Sequence, residues 1–166
     1  MRKVTASAVL FAGVALACGD KLILRLGGAR YRRVFGGRPV SILAYSHGES
    51  VISEIVREFE VQPALKRAGH KLYSVDDPDK FGQALKVGQY DLVMTEVKDA
   101  DTLAGELRSA PSRPTLLPVL YMATRADEKA AARKYHCFLK APGAADRYLE
   151  AIDDALELRL RRGNSN

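Results

Sequence analysis

The feature that most constrains the fold is an alternation, from residue 39 onward, of short apolar runs with segments of helical periodicity. The apolar runs are predicted strands, and their sequences are PVSILAYS, KLYSV, YDLVMTE, TLLPVLYMA and HCFLKAP. Strands with continuous apolar character are typical of parallel sheets that are covered on both faces. With right-handed crossovers, the pattern predicts a doubly wound α/β domain whose five strands lie in the order 2-1-3-4-5.

The segments between the predicted strands carry helix start and stop signals. The clearest helix follows Asp77, a candidate N-cap, begins at Pro78 and ends at Gly88. Further helices are predicted at residues 49–60, 63–69, 100–111, 125–135 and 144–162. Lys98 to Ala100 is predicted to be a loop. The inward side chains of the first predicted helix are Val51, Ile52, Ile55, Val56 and Phe59, and those of the last are Leu149, Ile152, Leu156 and Leu160.

Composition and charge place the basic residues mainly outside the predicted domain. The chain has 166 residues, 47% of them hydrophobic and 28% charged, as expected for one soluble domain. Residues 20–38 carry six basic residues against Asp20, and Arg2 and Lys3 precede them. Subtracting these charges from the total of +6 leaves −1 for residues 39–166. Because nucleic-acid-binding domains are usually basic on a folded face, nucleic acid is not an expected partner.

The first 17 residues have the three parts of a secretory signal peptide. Arg2 and Lys3 form a basic start, Val4 to Leu16 is apolar, and Ala15-Leu16-Ala17 suits signal peptidase cleavage. The apolar part is shorter than the roughly 20 residues that a membrane-spanning helix needs. The sequence therefore predicts an exported protein of the cell envelope or periplasm.

Cys18 is a candidate lipidation site. The run VALAC resembles a bacterial lipobox, in which the cysteine is acylated and becomes the mature N-terminus. Ordinary cleavage, which leaves Cys18 unmodified, is the alternative. Residues 18–38 form a basic tether, and the basic residues at 21–38 would add affinity for an anionic membrane surface. The same basic residues also favour retention on the cytoplasmic side, so that location stays open.

Residues 40–162 resemble the receiver domain of bacterial two-component response regulators. The segments that carry the resemblance are AGHKLYSVDDPDKFGQALKVGQYDLVMTEV, LLPVLYMATRADE and CFLKAP. The resemblance implies a CheY-like, flavodoxin-like domain over residues 39–162, with residues 163–166 as a tail. In such sheets the functional site lies at the carboxyl ends of the strands.

The resemblance also identifies the site positions, and this sequence departs from the family at most of them. The matching residues are Ser46, His47, Glu96, Ala123, Thr124 and Lys140. The first two replace an acidic pair that holds Mg²⁺, and Glu96 replaces the aspartate that accepts a phosphoryl group. Ala123 replaces a switch hydroxyl, with Thr124 one place late. Lys140 matches the family lysine, but Ala141 intervenes before Pro142, so the family's cis proline bond is not assumed.

These departures predict a degenerate site. Mg²⁺ needs carboxylate ligands, which Ser46 and His47 do not supply, so neither a bound metal nor aspartyl-type phosphorylation is expected. No other cofactor motif occurs. With no metal to offset its charge, Glu96 is expected to form an ion pair with Lys140, and Glu96 either mimics a phosphorylated aspartate or is a remnant.

The expected function is therefore binding of another protein, with no catalysis and no small-molecule substrate. The face with the family's fourth helix and fifth strand is the expected contact surface. The first alternative is a phosphorylation-independent pseudo-receiver on the cytoplasmic side, in two-component signalling. The second is a serine hydrolase, because AYSHG resembles a nucleophile elbow with Ser46 as nucleophile and His136 as a possible base.

Overall fold

A computed structural model describes residues 39–48, 50–58 and 61–163. The predicted signal peptide, Cys18, the basic tether and residues 164–166 lie outside the described residues. The same holds for the side chain of Val56 and for Phe59, two of the predicted core residues of the first helix.

Within the described residues, strands and helices alternate along the chain as predicted. The strands are β1 (Ser41–Tyr45), β2 (Lys71–Val75), β3 (Leu92–Glu96), β4 (Thr115–Tyr121) and β5 (Leu139–Ala141). The helices are α1 (Ile52–Glu58), α2 (Val61–Arg67), α3 (Pro78–Val87), α4 (Val97–Ser109), α5 (Arg125–Lys134) and α6 (Ala145–Gly163). The first crossover holds both α1 and α2, so the helix that matches the family's fourth is α5 here.

The strands form one parallel sheet in the order β2-β1-β3-β4-β5, which confirms the predicted topology. The central strands β1 and β3 are almost wholly buried, as their continuous apolar sequences require. None of the helices within the described residues has the length and apolar content that crossing a membrane requires.

Helices bury both faces of the sheet. On one face, side chains of α1, α2 and α6 pack on alternate strand residues, and the largest are Ile52, Ile55, Leu65, Tyr148, Ile152 and Leu156. On the other face, α3 and α4 contribute Phe81, Leu85, Leu103 and Leu107. Burial of such side chains contributes about 1.5–3 kcal/mol each, so these two layers supply most of the driving force for folding.

Helix α3 forms where the sequence predicts it. The side chain of Asp77 accepts a hydrogen bond of 2.9 Å from the Lys80 N–H, Pro78 opens the helix, and Gly88 ends it. Helix α2 begins at Val61, two residues before the predicted start at Pro63. Proline is tolerated there because the N–H groups of a first helical turn have no intrahelical partner.

Several predicted boundaries were wrong at the ends of β3 and β5. Lys98 to Ala100 is not a loop, since α4 begins at Val97 directly after β3. Asp99 then lies in the first helical turn, where a carboxylate interacts favourably with the helix dipole. Strand β5 is shorter than HCFLKAP, and Cys137 lies before it, half-buried. The Ala141–Pro142 bond is cis despite the inserted alanine.

The prediction that Leu160 faces inward was also wrong, because its side chain is 45% exposed. Arg159 already reaches the backbone carbonyls of Tyr90 and Ser112, which precede β3 and β4. The last turn of α6 therefore extends beyond the sheet.

One carboxylate joins three parts of the fold at the edge where the strands begin. Asp91 accepts a hydrogen bond from the Ser41 N–H at 3.0 Å and one from the Arg159 guanidinium at 2.7 Å. Arg159 also donates to the Ser112 carbonyl at 3.1 Å. The network thus links β1, the start of β3, the connection before β4 and helix α6.

We expect Asp91→Ala and Arg159→Met each to lower the free energy of unfolding by about 2 kcal/mol, because each leaves polar partners unpaired. The double variant should show a coupling of about 1 kcal/mol or more in a denaturant-based double-mutant cycle. The exposed pair Arg147 and Glu150, at 3.3 Å, is the matched control, with coupling below about 0.5 kcal/mol expected. Equal coupling in both pairs would contradict a special role for Asp91.

Candidate functional site

The predicted site residues follow the carboxyl ends of β1, β3, β4 and β5, as the topology requires. The structure brings Ser46 and Glu96 to the start of α1, where each contacts a different residue of that segment. It does not bring Thr124 or Lys140 to the same point, because both interact with α5. The predicted set thus divides into two separate groups.

Glu96 connects the end of β3 to the segment that opens α1. Its Oε1 accepts a hydrogen bond of 2.7 Å from the Val51 N–H, and its Oε2 lies 3.1 Å from the Lys98 ammonium. The side chain is 15% exposed. Glu96 is also the N-cap residue of α4 but gives that helix no side-chain hydrogen bond, since its carboxylate is directed to these other partners.

The pKa of Glu96 lies below its ordinary value. Burial acts in the opposite direction, since it penalises the charged form, but hydrogen bonds from Ser50, Lys98 and the Val51 N–H outweigh it, with the charge of Lys98 adding to them. The carboxylate is therefore held ionised by protein groups.

Ser46 and His47 have local partners. Ser46 is 5% exposed, and its hydroxyl lies 2.9 Å from the hydroxyl of Ser53 in α1. His47 is exposed, and its Nδ1 lies 3.0 Å from the Tyr45 hydroxyl. Burial raises the pKa of Tyr45, with the charges of Asp99, Glu106 and Asp77 adding to the effect.

The contacts of Ser46 give no support to the hydrolase alternative. Its hydroxyl is paired with another hydroxyl rather than with an imidazole. His136 precedes β5, whereas Ser46 follows β1, so the two residues lie at opposite edges of a parallel sheet. A base must lie within hydrogen-bond reach of its nucleophile.

Thr124 caps a helix. Its hydroxyl accepts a hydrogen bond from the Asp127 N–H at 3.3 Å, and Asp127 accepts one in return from the Thr124 N–H at 2.9 Å. This reciprocal capping box starts α5. Thr124 is exposed, and Ala123, which occupies the matched switch position, carries no hydroxyl.

The predicted ion pair between Glu96 and Lys140 was wrong. The ammonium of Lys140 lies 2.9 Å from Glu128 of α5. The register pairs Glu96 with Val119 and Val119 with Leu139, so Lys140, one residue later, points to the other face of the sheet. Lys98, two residues from Glu96, takes the place of the expected partner.

Comparison with solved structures gives similar folds at low sequence identity. The chain is similar to the chemotaxis response regulator CheY4 of Vibrio cholerae, with a TM-score of 0.53 and 16% identity, covering 72% of this chain and 100% of that one. It is also similar to a protein from Burkholderia pseudomallei described as pilus assembly-related, with a TM-score of 0.49 and 18% identity, covering 74% of this chain and 92% of that one. No protein-family model and no curated protein matches the chain.

The chain has the receiver fold. That conclusion rests on the sheet order and on the first of these similarities. The residue directly before the cis proline, where the receiver family has its lysine, is Ala141, and Lys140 is displaced by one position. The inserted residue therefore moves the matched lysine away from the site that contains Glu96.

The Mg²⁺ ion that the receiver family binds does not fit this site. A divalent ion of this kind is usually held by one or two carboxylates together with water and phosphate. Glu96 already accepts hydrogen bonds from Val51 and lies against Lys98, while Ser46 and His47 add no carboxylate. Among residues 39–48, 50–58 and 61–163, no three His, Cys, Asp or Glu side chains are grouped to hold a metal ion.

Sequence reasoning missed the residues that engage Glu96 and Ser46. Ser50, Val51 and Ser53 come from the β1–α1 segment, and no pattern in the sequence marks them as partners of β3. Lys98 carried a weak indication, since it lies close to Glu96 in sequence. The prediction of a loop at that point concealed the geometry.

We expect Glu96→Gln to lower the free energy of unfolding by about 1 kcal/mol at neutral pH, because the amide keeps an acceptor for Val51 but loses the charge-assisted bonds. The native pKa of Glu96 is depressed, so its contribution is present above the unfolded-state pKa. It disappears as the pH falls through the native pKa. Urea unfolding of both proteins from pH 7 to pH 3 measures this difference.

The difference between the two proteins isolates Glu96 from groups that titrate in the opposite direction. Burial and the charge of Asp154 raise the pKa of Asp153 to about 6, so Asp153 lowers stability as the pH rises. Glu128→Gln, which breaks only the surface pair with Lys140, is the control, and it should change little. A pH-independent effect of Glu96→Gln would show that charge is not what holds this carboxylate.

Proposed function

We propose that the protein is a non-catalytic, phosphorylation-independent receiver-like interaction domain of an exported, lipid-anchored protein. The observation that carries the proposal is the Glu96 carboxylate, which bonds the segment that opens α1 and contacts Lys98. It occupies the phosphoacceptor position with a group that is already paired.

The other matched positions support the same conclusion. Thr124 is engaged in the cap of α5, and Lys140 is paired with Glu128. A receiver switch needs a hydroxyl and a lysine that respond to a new phosphoryl group. Here both side chains have structural partners that do not involve Glu96.

The surface around β5 is the proposed contact site for a partner protein. A shallow groove of about 270 Å³ lies between β5 and α6. It is lined by Phe138, Lys140, Pro142, Gly143, Arg147, Glu150, Ala151 and Asp154. Apolar side chains beside charges of both signs suit a polar protein surface better than a small apolar ligand.

The location is proposed from the sequence. The order of basic, apolar and small residues that ends at Ala17-Cys18 supports export and acylation. Location on the cytoplasmic side remains the alternative function, as a pseudo-receiver in two-component signalling, because basic residues follow the apolar run.

We expect no phosphorylation of the purified protein by acetyl phosphate and Mg²⁺, because no acidic pair is present to bind the metal. Intact mass spectrometry should show an unchanged mass. A stable gain of one phosphoryl group that is absent from the Glu96→Gln variant would contradict the proposal.

We expect a discrete cross-linked adduct in cells when a photoreactive phenylalanine derivative replaces Glu150 in the groove. The same residue in place of Gln83, exposed on α3 at the other face of the sheet, should give none. The adduct should lie in the membrane fraction and should move to the soluble fraction with Cys18→Ser. Equal labelling from both positions would contradict the groove as the contact site, and an unprocessed Met1 would contradict export.

A further inference from the structure

Exposed basic side chains gather at the amino edge of the domain, where the helices end and the strands begin. They are Lys66, Arg67, Lys71, Lys86, Arg108, Arg113 and Arg133. None of these side chains makes an ion pair or hydrogen bond within the described part of the chain. Because residues 39–166 sum to −1, this gathering means that the domain separates its charges rather than carrying an excess of basic residues.

The opposite, carboxyl edge differs in that its basic residues are paired. The first turns of the helices there contain Glu54, Asp79, Asp99, Asp127, Glu128 and Asp146. Lys98 contacts Glu96, and Lys140 contacts Glu128. At the amino edge, by contrast, the Asp91 carboxylate is engaged by Arg159.

Helix dipoles explain part of this pattern, since basic residues are favoured in the last turn of a helix. They do not explain Lys71 and Arg113, which lie outside the helices. Nor do they explain two exposed apolar side chains at the same edge, Val87 at the end of α3 (88% exposed) and Leu160 near the end of α6 (45% exposed). Apolar side chains surrounded by basic ones are suited to the interface of an anionic bilayer.

The amino edge is also where the preceding part of the chain joins the domain. The Lys71 N–H donates to the Val40 carbonyl at 2.8 Å, so residue 40 lies beside the basic cluster. Residues 1–38, with Cys18 and the basic residues that follow it, are connected at this point. A lipid on Cys18 would bring this edge, rather than the edge with Glu96, toward a bilayer.

We infer that the amino edge of the domain docks on an anionic lipid surface. The basic side chains contact lipid phosphates, and Val87 and Leu160 enter the interface. The orientation leaves the Glu96 edge directed away from the bilayer. The role of Cys18 in this arrangement rests on the proposed anchoring, whereas the charged and apolar surface belongs to the described domain.

The sequence contains no tryptophan, so single substitutions supply site-specific fluorescent reporters. Full-length Val87→Trp reports on the amino edge, and full-length Met122→Trp, at a 73% exposed residue after β4, reports on the carboxyl edge. With vesicles rich in phosphatidylglycerol, the Val87→Trp emission should shift to the blue and be quenched by brominated acyl chains. The Met122→Trp emission should stay unchanged, and phosphatidylcholine vesicles should affect neither reporter.

Charge variants test the electrostatic part in the Val87→Trp protein. Lys66→Gln/Arg67→Gln/Lys71→Gln should lower the preference for phosphatidylglycerol over phosphatidylcholine vesicles on the order of a hundredfold, from roughly fivefold per basic residue. The control Lys80→Gln/Arg125→Gln/Lys129→Gln removes the same charge from exposed side chains of α3 and α5 and should preserve the preference. Added salt should weaken binding of the parent protein.

Each result decides the matter. Equal losses in the two triple variants, a blue shift of both reporters, or displacement of the protein from vesicles by a short DNA duplex would overturn docking of a specific lipid-binding edge. Binding to both kinds of vesicle with the Val87→Trp indole still in water would overturn this inference and leave the proposed anchoring intact. No binding to either kind would overturn both.

Discussion

The Asp91 carboxylate is the interaction on which the arrangement of layers depends. It lies at the start of β3, and through it the backbone of β1 and the guanidinium of Arg159 are joined. Arg159 in turn fixes α6 against the Ser112 carbonyl. Hydrophobic burial holds the helices to the sheet without specifying direction. Directional bonds from one carboxylate set where β1, β3 and α6 stand relative to one another, and thereby where the strands end at the other edge.

The fold could be predicted from the sequence because its signals are local and agree with one another. Continuous apolar strands specify a parallel sheet, and Asp77, Pro78 and Gly88 specify the limits of α3. Boundaries failed where tertiary contacts override local preference. Glu96 and Lys98 look like a strand end and a loop, yet α4 starts between them at Val97. Leu160 fits an apolar stripe, but its helix extends past the layer it would pack against.

The candidate site was predictable in position but not in contacts. Strand topology alone places Ser46 and Glu96 at the same edge of the sheet. Which cation meets Glu96 depends on side-chain parity along β5, and a single inserted residue reverses that parity. No sequence pattern indicates that a backbone N–H at Val51 satisfies the carboxylate. Family position is therefore a weaker guide here than the register of the sheet.

Glu96 has a consequence for how such a domain would carry information. A receiver that exchanges a phosphoryl group and a metal ion has two chemical states, and its output follows their ratio. At Glu96 the negative charge is covalently part of the chain, and its counter-charge comes from Lys98. On the proposed function, the domain then has one state at neutral pH. The quantity that its partner senses is the amount of protein present and its position in the cell, so control passes to synthesis and turnover.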